Sequence, residues 1–325
     1  TIASALGLNI ALTEAIALGH DLGHSPFGHH GEKIIERIME KNGFEQKFWH
    51  EKNSLRFIDY IETLPNYSGF KDNLNLTYAT RDGIVCHCGE VNENFLKPRE
   101  EYIDLEKIEK GKYMPFTYEG CIVKISDKIA YLGRDIQDAY NYGFFDKEDM
   151  ITLKQIAQEV MKKKIKFKDV NTSSLIHEFI TNLCIHSNPY DGITFSKEHY
   201  DMMNKIKKFN YQKIYSNKRF KPFMEYAKLV INAIFDFLLD NYKGYNTIYK
   251  LSKYAKYYPT SVYDFSDWLI KYSNIDEKLH RLRRYKNRII YNIENPQDYK
   301  QAIIDYISGM SDNYAIKVYC ELIEF

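Results

Sequence analysis

The chain has 325 residues, with 45 lysines and arginines against 44 aspartates and glutamates, for a formal net charge of +1. Hydrophobic residues make up 44% and prolines number 8, which argues for a helical globular chain with a core, in one large or two modest domains. No run approaches the roughly eighteen apolar residues of a membrane span, which argues against a membrane protein.

The charge is unevenly spread. Residues 1–150 hold 17 basic and 25 acidic side chains, a net of −8; residues 151–325 hold 28 and 19, a net of +9. The basic half can face a polyanion, although solvated helix faces account for most of its lysines one by one. Cys86, Cys88, Cys121, Cys184 and Cys320 are odd in number and scattered, and read as reduced thiols of a cytoplasmic protein.

In chain order, Thr1 to Leu6 reads as the tail of a helix stopped by Gly7, Asn9 to Thr13 as a turn, and Thr13-Glu14 as the start of a second helix. The apolar run Ala15 to Leu18 leads that helix into Gly-His20-Asp21-Leu-Gly-His24-Ser-Pro-Phe-Gly-His29-His30-Gly-Glu32. Gly23 and Pro26 open the backbone where the helix ends, so His20 and Asp21 can reach one ion. An imidazole and a carboxylate suit Zn, Fe, Ni, Co or Mn, but two ligands do not make a site, and at least one more must come from elsewhere. Gly28 to Glu40 reads as a helix with Ile34, Ile35, Ile38 and Met39 on its apolar face. His29 and Glu32 are three apart and share a face, the arrangement of an imidazole held and made more basic by a carboxylate.

His50 follows Phe48-Trp49 and opens a helix through Ile61. Leu74 to Glu90 is a further block, in which Arg81 and His87 can line a cleft or serve packing and capping. Gly120 to Tyr142 reads as a long helix: Asp127, Tyr131 and Asp135 stripe one face at i, i+4, i+8, while Ile122, Ile125, Ile129 and Leu132 populate another. An aspartate so flanked is costly to bury without a cation. On pattern alone Asp127 is a candidate ligand, and Lys128, Tyr131 and Asp135 are unassigned. The rest reads as helix, with basic stretches at 162–168, 205–221 and 281–288 interleaved with aromatics. Such interleaving suits nucleic acid, but it is also expected by chance in a chain with 15% aromatic residues.

The stretch His20-Asp21-Leu-Gly-His-Ser-Pro-Phe-Gly-His-His-Gly-Glu32 resembles the signature of the HD-domain superfamily, and in particular its deoxyguanosine triphosphate triphosphohydrolase branch. The likeness extends through His50, where Glu51 to Asn53 depart from the usual bacterial pattern, to Phe209–Tyr215 and Asp305–Ala315. It implies an all-α HD-domain bundle over residues 1–150 and a helical, basic region over 151–325 completing the same globule. It also implies one divalent metal ion (Mg, Mn, Co, Ni, Fe or Zn) held by His20, Asp21, Asp127 and an upstream histidine. His29, Glu32 and His50 become the acid–base group. His24 and Lys128 fall near phosphate, Tyr131 near the sugar and Asp135 near its 3′-hydroxyl.

The resulting expectation is a cytoplasmic, homo-oligomeric dNTP triphosphohydrolase favouring dGTP, with an allosteric dNTP or single-stranded DNA as a further partner. The alternatives are another HD phosphohydrolase, such as a 5′-nucleotidase or phosphodiesterase, and a nucleotide- or single-strand-binding regulator without turnover. Because no histidine precedes His20 and Thr1–Leu6 enters mid-pattern, the further expectation is that residues before Thr1 supply the upstream ligand.

Overall fold

The computed structural model describes residues 1–87, 94–161 and 172–324. The chain is all-α. Strands among the described residues are limited to two short antiparallel pairs, Thr63–Pro65 with Lys71–Asn73 and Phe95–Leu96 with Ile193–Thr194. No described helix is long and apolar enough to cross a membrane. The residues group into two compact units, one of Thr1–Leu18 with Tyr78–Phe220 and one of Gly19–Thr77 with Lys221–Phe325.

The first unit is built on the helix Tyr118–Asn141. Thr117 caps it by accepting a hydrogen bond from the Gly120 N–H at 3.1 Å. Cys121, Ile122, Ile125, Ile129, Leu132 and Ile136 recur at helical spacing and are all buried. They share a core with Leu153, Leu175, Phe179, Leu183, Met202 and Ile206 from the three following helices, Lys147–Met161, Thr172–His186 and Lys197–Asn210. Each fully buried side chain of this kind is worth about 1.5–3 kcal/mol against exposure. Gly133 sits where Thr172 comes closest: a Cβ there would lie 3.2 Å from the Thr172 Cα, and the Thr172 hydroxyl donates to the Gly133 carbonyl at 2.9 Å.

The helix leading to His20 begins at Ile10 and ends at Gly19. Its predicted start at Thr13 is therefore corrected. The Asn9 side chain accepts from the Leu12 N–H at 3.1 Å, so Asn9, read as a turn residue, is the capping group. The 162–168 basic stretch and Cys88 lie outside the described residues. Cys86, Cys121, Cys184 and Cys320 are free thiols.

The second unit packs the helix Gly28–Lys41 against Lys221–Asp240. Ile34, Ile35, Ile38 and Met39 are all buried, as their spacing predicts. Their core includes Val230, Ile231, Ile234, Phe265, Tyr299 and Ile303. The helix His50–Arg56 continues as a π-helical turn, Phe57–Ile61. Deep in this unit the fully buried Asp305 carboxylate accepts from Arg56 (Nε at 2.9 Å), Tyr291 Oη (2.5 Å) and Gln301 Nε2 (2.8 Å). A buried charge held this way is satisfied, and removing either partner strands the other. Burial pulls the Arg56 guanidinium down, and Asp305 more than offsets this, leaving it raised.

Candidate active site

The helix Ile10–Gly19 ends one residue before His20, so His20 and Asp21 stand in the turn that follows, where adjacent side chains need not diverge. The turn is pinned to the helix His50–Arg56. The Gly23 N–H donates to Ser54 Oγ at 2.9 Å, Asn53 Nδ2 donates to the Gly23 carbonyl at 2.8 Å, and Ser54 Oγ donates to the His20 carbonyl at 2.8 Å. A Cβ on Gly23 would lie 2.1 Å from the Ser54 nitrogen, so glycine is required by contact. Gly31 is required in the same way, because its Cβ would lie 1.8 Å from the Pro26 oxygen. Between them Phe27 takes a left-handed φ of 65° with its N–H donating to Asp312 Oδ1 at 2.8 Å. Asp312 belongs to the same C-terminal block as Asp305, so in this unit that block holds both the motif loop and the core beneath it.

On this frame the second unit gathers His20, Asp21, His24, His29, Glu32 and His50. His20 Nε2 is 3.3 Å from Asp21 Oδ2, and His50 Nε2 is 3.9 Å from Asp21 Oδ1. One ring nitrogen from each of His24, His29 and His50 can be chosen so that all lie within 4.8 Å of one another. The His24 and His50 rings stack at 4.6 Å between centroids. Glu32 is nearly buried and binds His50 Nδ1 at 2.8 Å, with His29 Nδ1 farther off at 3.4 Å. The spacing of His29 and Glu32 thus reads a real contact, yet His50 is the imidazole that Glu32 holds most closely.

The surroundings separate these rings electrostatically. Burial, then the neighbouring His50, lowers His24, against a smaller opposing pull from Asp21. Burial also acts to lower His50, but the Glu32 hydrogen bond and the charges of Glu51, Glu32 and Asp21 outweigh it and leave the ring raised. His24 is therefore biased neutral, and His50 is biased to keep a proton. Burial, then Lys33, lowers His30, whose Nδ1 is buried without a hydrogen bond. Glu51, 1% exposed, has both carboxylate oxygens buried without a hydrogen bond, one of them 3.4 Å from His50 Nδ1.

In the first unit, Asp127, Lys128, Tyr131 and Asp135 lie along the helix Tyr118–Asn141, all half-buried. The Tyr215 hydroxyl donates to Asp135 Oδ2 in a short hydrogen bond. Burial raises the Asp135 carboxyl, and the tyrosine bond opposes that. Burial and Asp135 together raise the Tyr215 phenol. Also in this unit, His87 is buried with Nδ1 on the Ile84 carbonyl at 2.6 Å, and Arg81 is half-buried.

Sequence reasoning missed Ser54, Asn53, Glu51 and Tyr215. Glu51 and Asn53 were visible as departures beside His50, and Tyr215 ends the Phe209–Tyr215 block. Nothing in the pattern marks Ser54, whose partners lie 31 and 34 positions away. The donor set of His20 and Asp21, with a buried carboxylate lacking hydrogen bonds beside His50, fits a divalent cation.

A family model described as HD domain matches residues 1–132. Three relatives, each named deoxyguanosinetriphosphate triphosphohydrolase-like protein, align over 99% of this chain. That of Leptospira interrogans is 29% identical, with 77% of its length covered. That of Rickettsia bellii is 31% identical with 79% covered, and that of Caldanaerobacter subterraneus is 30% identical with 70% covered.

Proposed function

The chain belongs to the deoxyguanosinetriphosphate triphosphohydrolase-like family of HD-domain proteins and is a phosphohydrolase, and from that premise we propose that it cleaves deoxynucleoside triphosphates, dGTP by preference, to deoxynucleoside and inorganic triphosphate. The observation that carries the reading is the cluster of His24, His29 and His50, the last two of which meet the buried Glu32 carboxylate, in one unit with the His20-Asp21 pair.

A divalent ion held by His20 and Asp21 would supply Lewis-acid activation of the α-phosphate and of water. The protein's own groups do the rest. Glu32 orients His50 and His29 and stabilises the imidazolium form of His50. His29, 72% exposed at its side chain, is the ring free to meet substrate and exchanges a proton with the leaving 5′-oxygen or the nucleophile. His50, buried and held, assists as the proton reservoir behind it. His24 and Lys128 bind phosphate oxygens. Tyr131 packs on the sugar, and Asp135 accepts from its 3′-hydroxyl, leaving little room for a 2′-hydroxyl.

The test is turnover of the four dNTPs and of GTP with Mg, Mn and Co, the products separated by anion exchange. The reading expects triphosphate and deoxynucleoside, with GTP turned over poorly. Release of orthophosphate alone, or activity confined to 5′-monophosphates or cyclic nucleotides, would assign the protein to another class of HD phosphohydrolase.

A further inference from the structure

The hydrolysis uses His24, His29 and His50 as separate groups, yet the second unit holds their rings together. The ring centres stand 5.2 Å apart for His24 and His29, 4.6 Å for His24 and His50, and 5.4 Å for His29 and His50. Three imidazoles bound to one tetrahedral zinc ion at ~2.0–2.1 Å have ring centres about 5 Å apart. One nitrogen from each ring lies within 4.8 Å of the other two. In a closed zinc site such nitrogens are ~3.4 Å apart, so the rings have at most about 1.4 Å to close.

The carboxylate beside them decides which nitrogens are left for an ion. Glu32 Oε2 meets His50 Nδ1 at 2.8 Å and His29 Nδ1 at 3.4 Å. A ring that donates its Nδ1–H to a carboxylate offers its Nε2 lone pair, and metal-bound histidines are ordinarily oriented in this way. His24 stands in the loop before the helix Gly28–Lys41. Its ring plane lies 21° from that of His50, and a turn about its ring torsion, whose wells are broad, brings its nitrogen to the ion. The largely exposed His29 leaves the cluster open to an ion from solvent. Nitrogen donors also select the ion. Mg and Mn prefer oxygen ligands, whereas imidazole suits zinc.

We propose that His24, His29 and His50, oriented by Glu32, form a zinc site separate from the ion held by His20 and Asp21, with its fourth position open. Zinc there takes the lone pairs with which His29 and His50 exchange protons and withdraws His24 from phosphate, so it arrests turnover. Zinc binding stands on the geometry alone, and its effect on turnover rests on the hydrolysis reading.

The test titrates zinc chloride and cobalt(II) chloride into the full chain in excess Mg, with a chromophoric chelator reporting free zinc. Wild type binds cobalt with the strong visible bands of a four-coordinate ion, which an octahedral, oxygen-rich site does not give, and zinc displaces it. His24→Gln removes those bands and lowers tightly bound zinc by one ion per chain. Glu32→Gln weakens zinc by roughly 10–100-fold, the cost of losing the group that orients a ligand. His29→Gln repeats the first reading should His24→Gln lose its helical signal. Bands and zinc content unchanged in His24→Gln, or zinc affinity unchanged in Glu32→Gln, overturn the site. Zinc held as described by a protein that leaves dNTPs intact with Mn supports the site and sinks the hydrolysis reading. Turnover of dNTPs by a protein that holds zinc no more tightly than Mg does the reverse.

Discussion

Gly23→Ala places a methyl group where the backbone of the helix His50–Arg56 already stands. The new Cβ would meet the Ser54 nitrogen at 2.1 Å, the Asn53 carbonyl carbon at 2.4 Å and the His50 oxygen at 2.6 Å. None of these atoms is the free end of a side chain, so the loop must lift from the helix. Overpacking costs about 1–3 kcal/mol. Lifting the loop also gives up the Gly23 bonds to Ser54 and Asn53, at about 0.5–1.5 kcal/mol each. The sum is about 2–6 kcal/mol, a large part of the ~5–15 kcal/mol that holds a typical protein folded. At ~2–4 °C per kcal/mol, the melting midpoint falls by roughly 4–24 °C. Ser54→Ala is the control, removing the hydroxyl's bonds to Gly23 and His20 without a clash, and costs about 1–3 kcal/mol. Differential scanning calorimetry reads both. A Gly23→Ala protein that melts within a degree of wild type would refute the close approach on which the placement of His20 and Asp21 depends.

Glu32→Gln keeps the shape of the side chain but removes the charge facing His50 and His29, so kcat falls by roughly 10–100-fold with circular dichroism unchanged, less than the ~10²–10⁴-fold of losing an acid–base group outright because both imidazoles remain; wild-type turnover would make the carboxylate structural. Asp305→Ala leaves the Arg56 guanidinium and the Tyr291 hydroxyl without their shared partner and costs about 3–5 kcal/mol in urea unfolding, whereas a change under about 1 kcal/mol would show the network to be idle. The Cys121 thiol is fully buried, and burial pushes it up to about 12, so iodoacetamide at neutral pH spares it in the native protein while reaching the half-buried Cys320, as peptide mapping would show. Equal labelling of the two would contradict the packing around Cys121.

What could be read in the sequence was local. The isoleucines 34, 35 and 38 and the series from Ile122 to Leu132 declare their helices because apolar side chains repeat at the helical period. The His-Asp step declares itself because the apolar run before it must end in a turn for the pair to converge. Pairings distant in sequence left no periodic trace. Asp305 meets Arg56 across 249 positions, and Tyr215 meets Asp135 across 80. Asn9 was misread because an asparagine suits both a turn and a cap, and only the bond to the Leu12 N–H decides between them. The His29–Glu32 spacing was legible as a neighbour pair. That Glu32 prefers His50 was not, since the choice rests on how two helices pack.

Hydrolysis of dGTP in water enriched in oxygen-18 tests the central claim most directly. Attack on the α-phosphorus with departure of the 5′-oxygen puts one heavy oxygen into the inorganic triphosphate and none into deoxyguanosine. Mass spectra showing that pattern are the predicted result. Label appearing in orthophosphate or in the deoxynucleoside would contradict the account, the first by placing attack at the γ-phosphorus and the second by placing it at carbon.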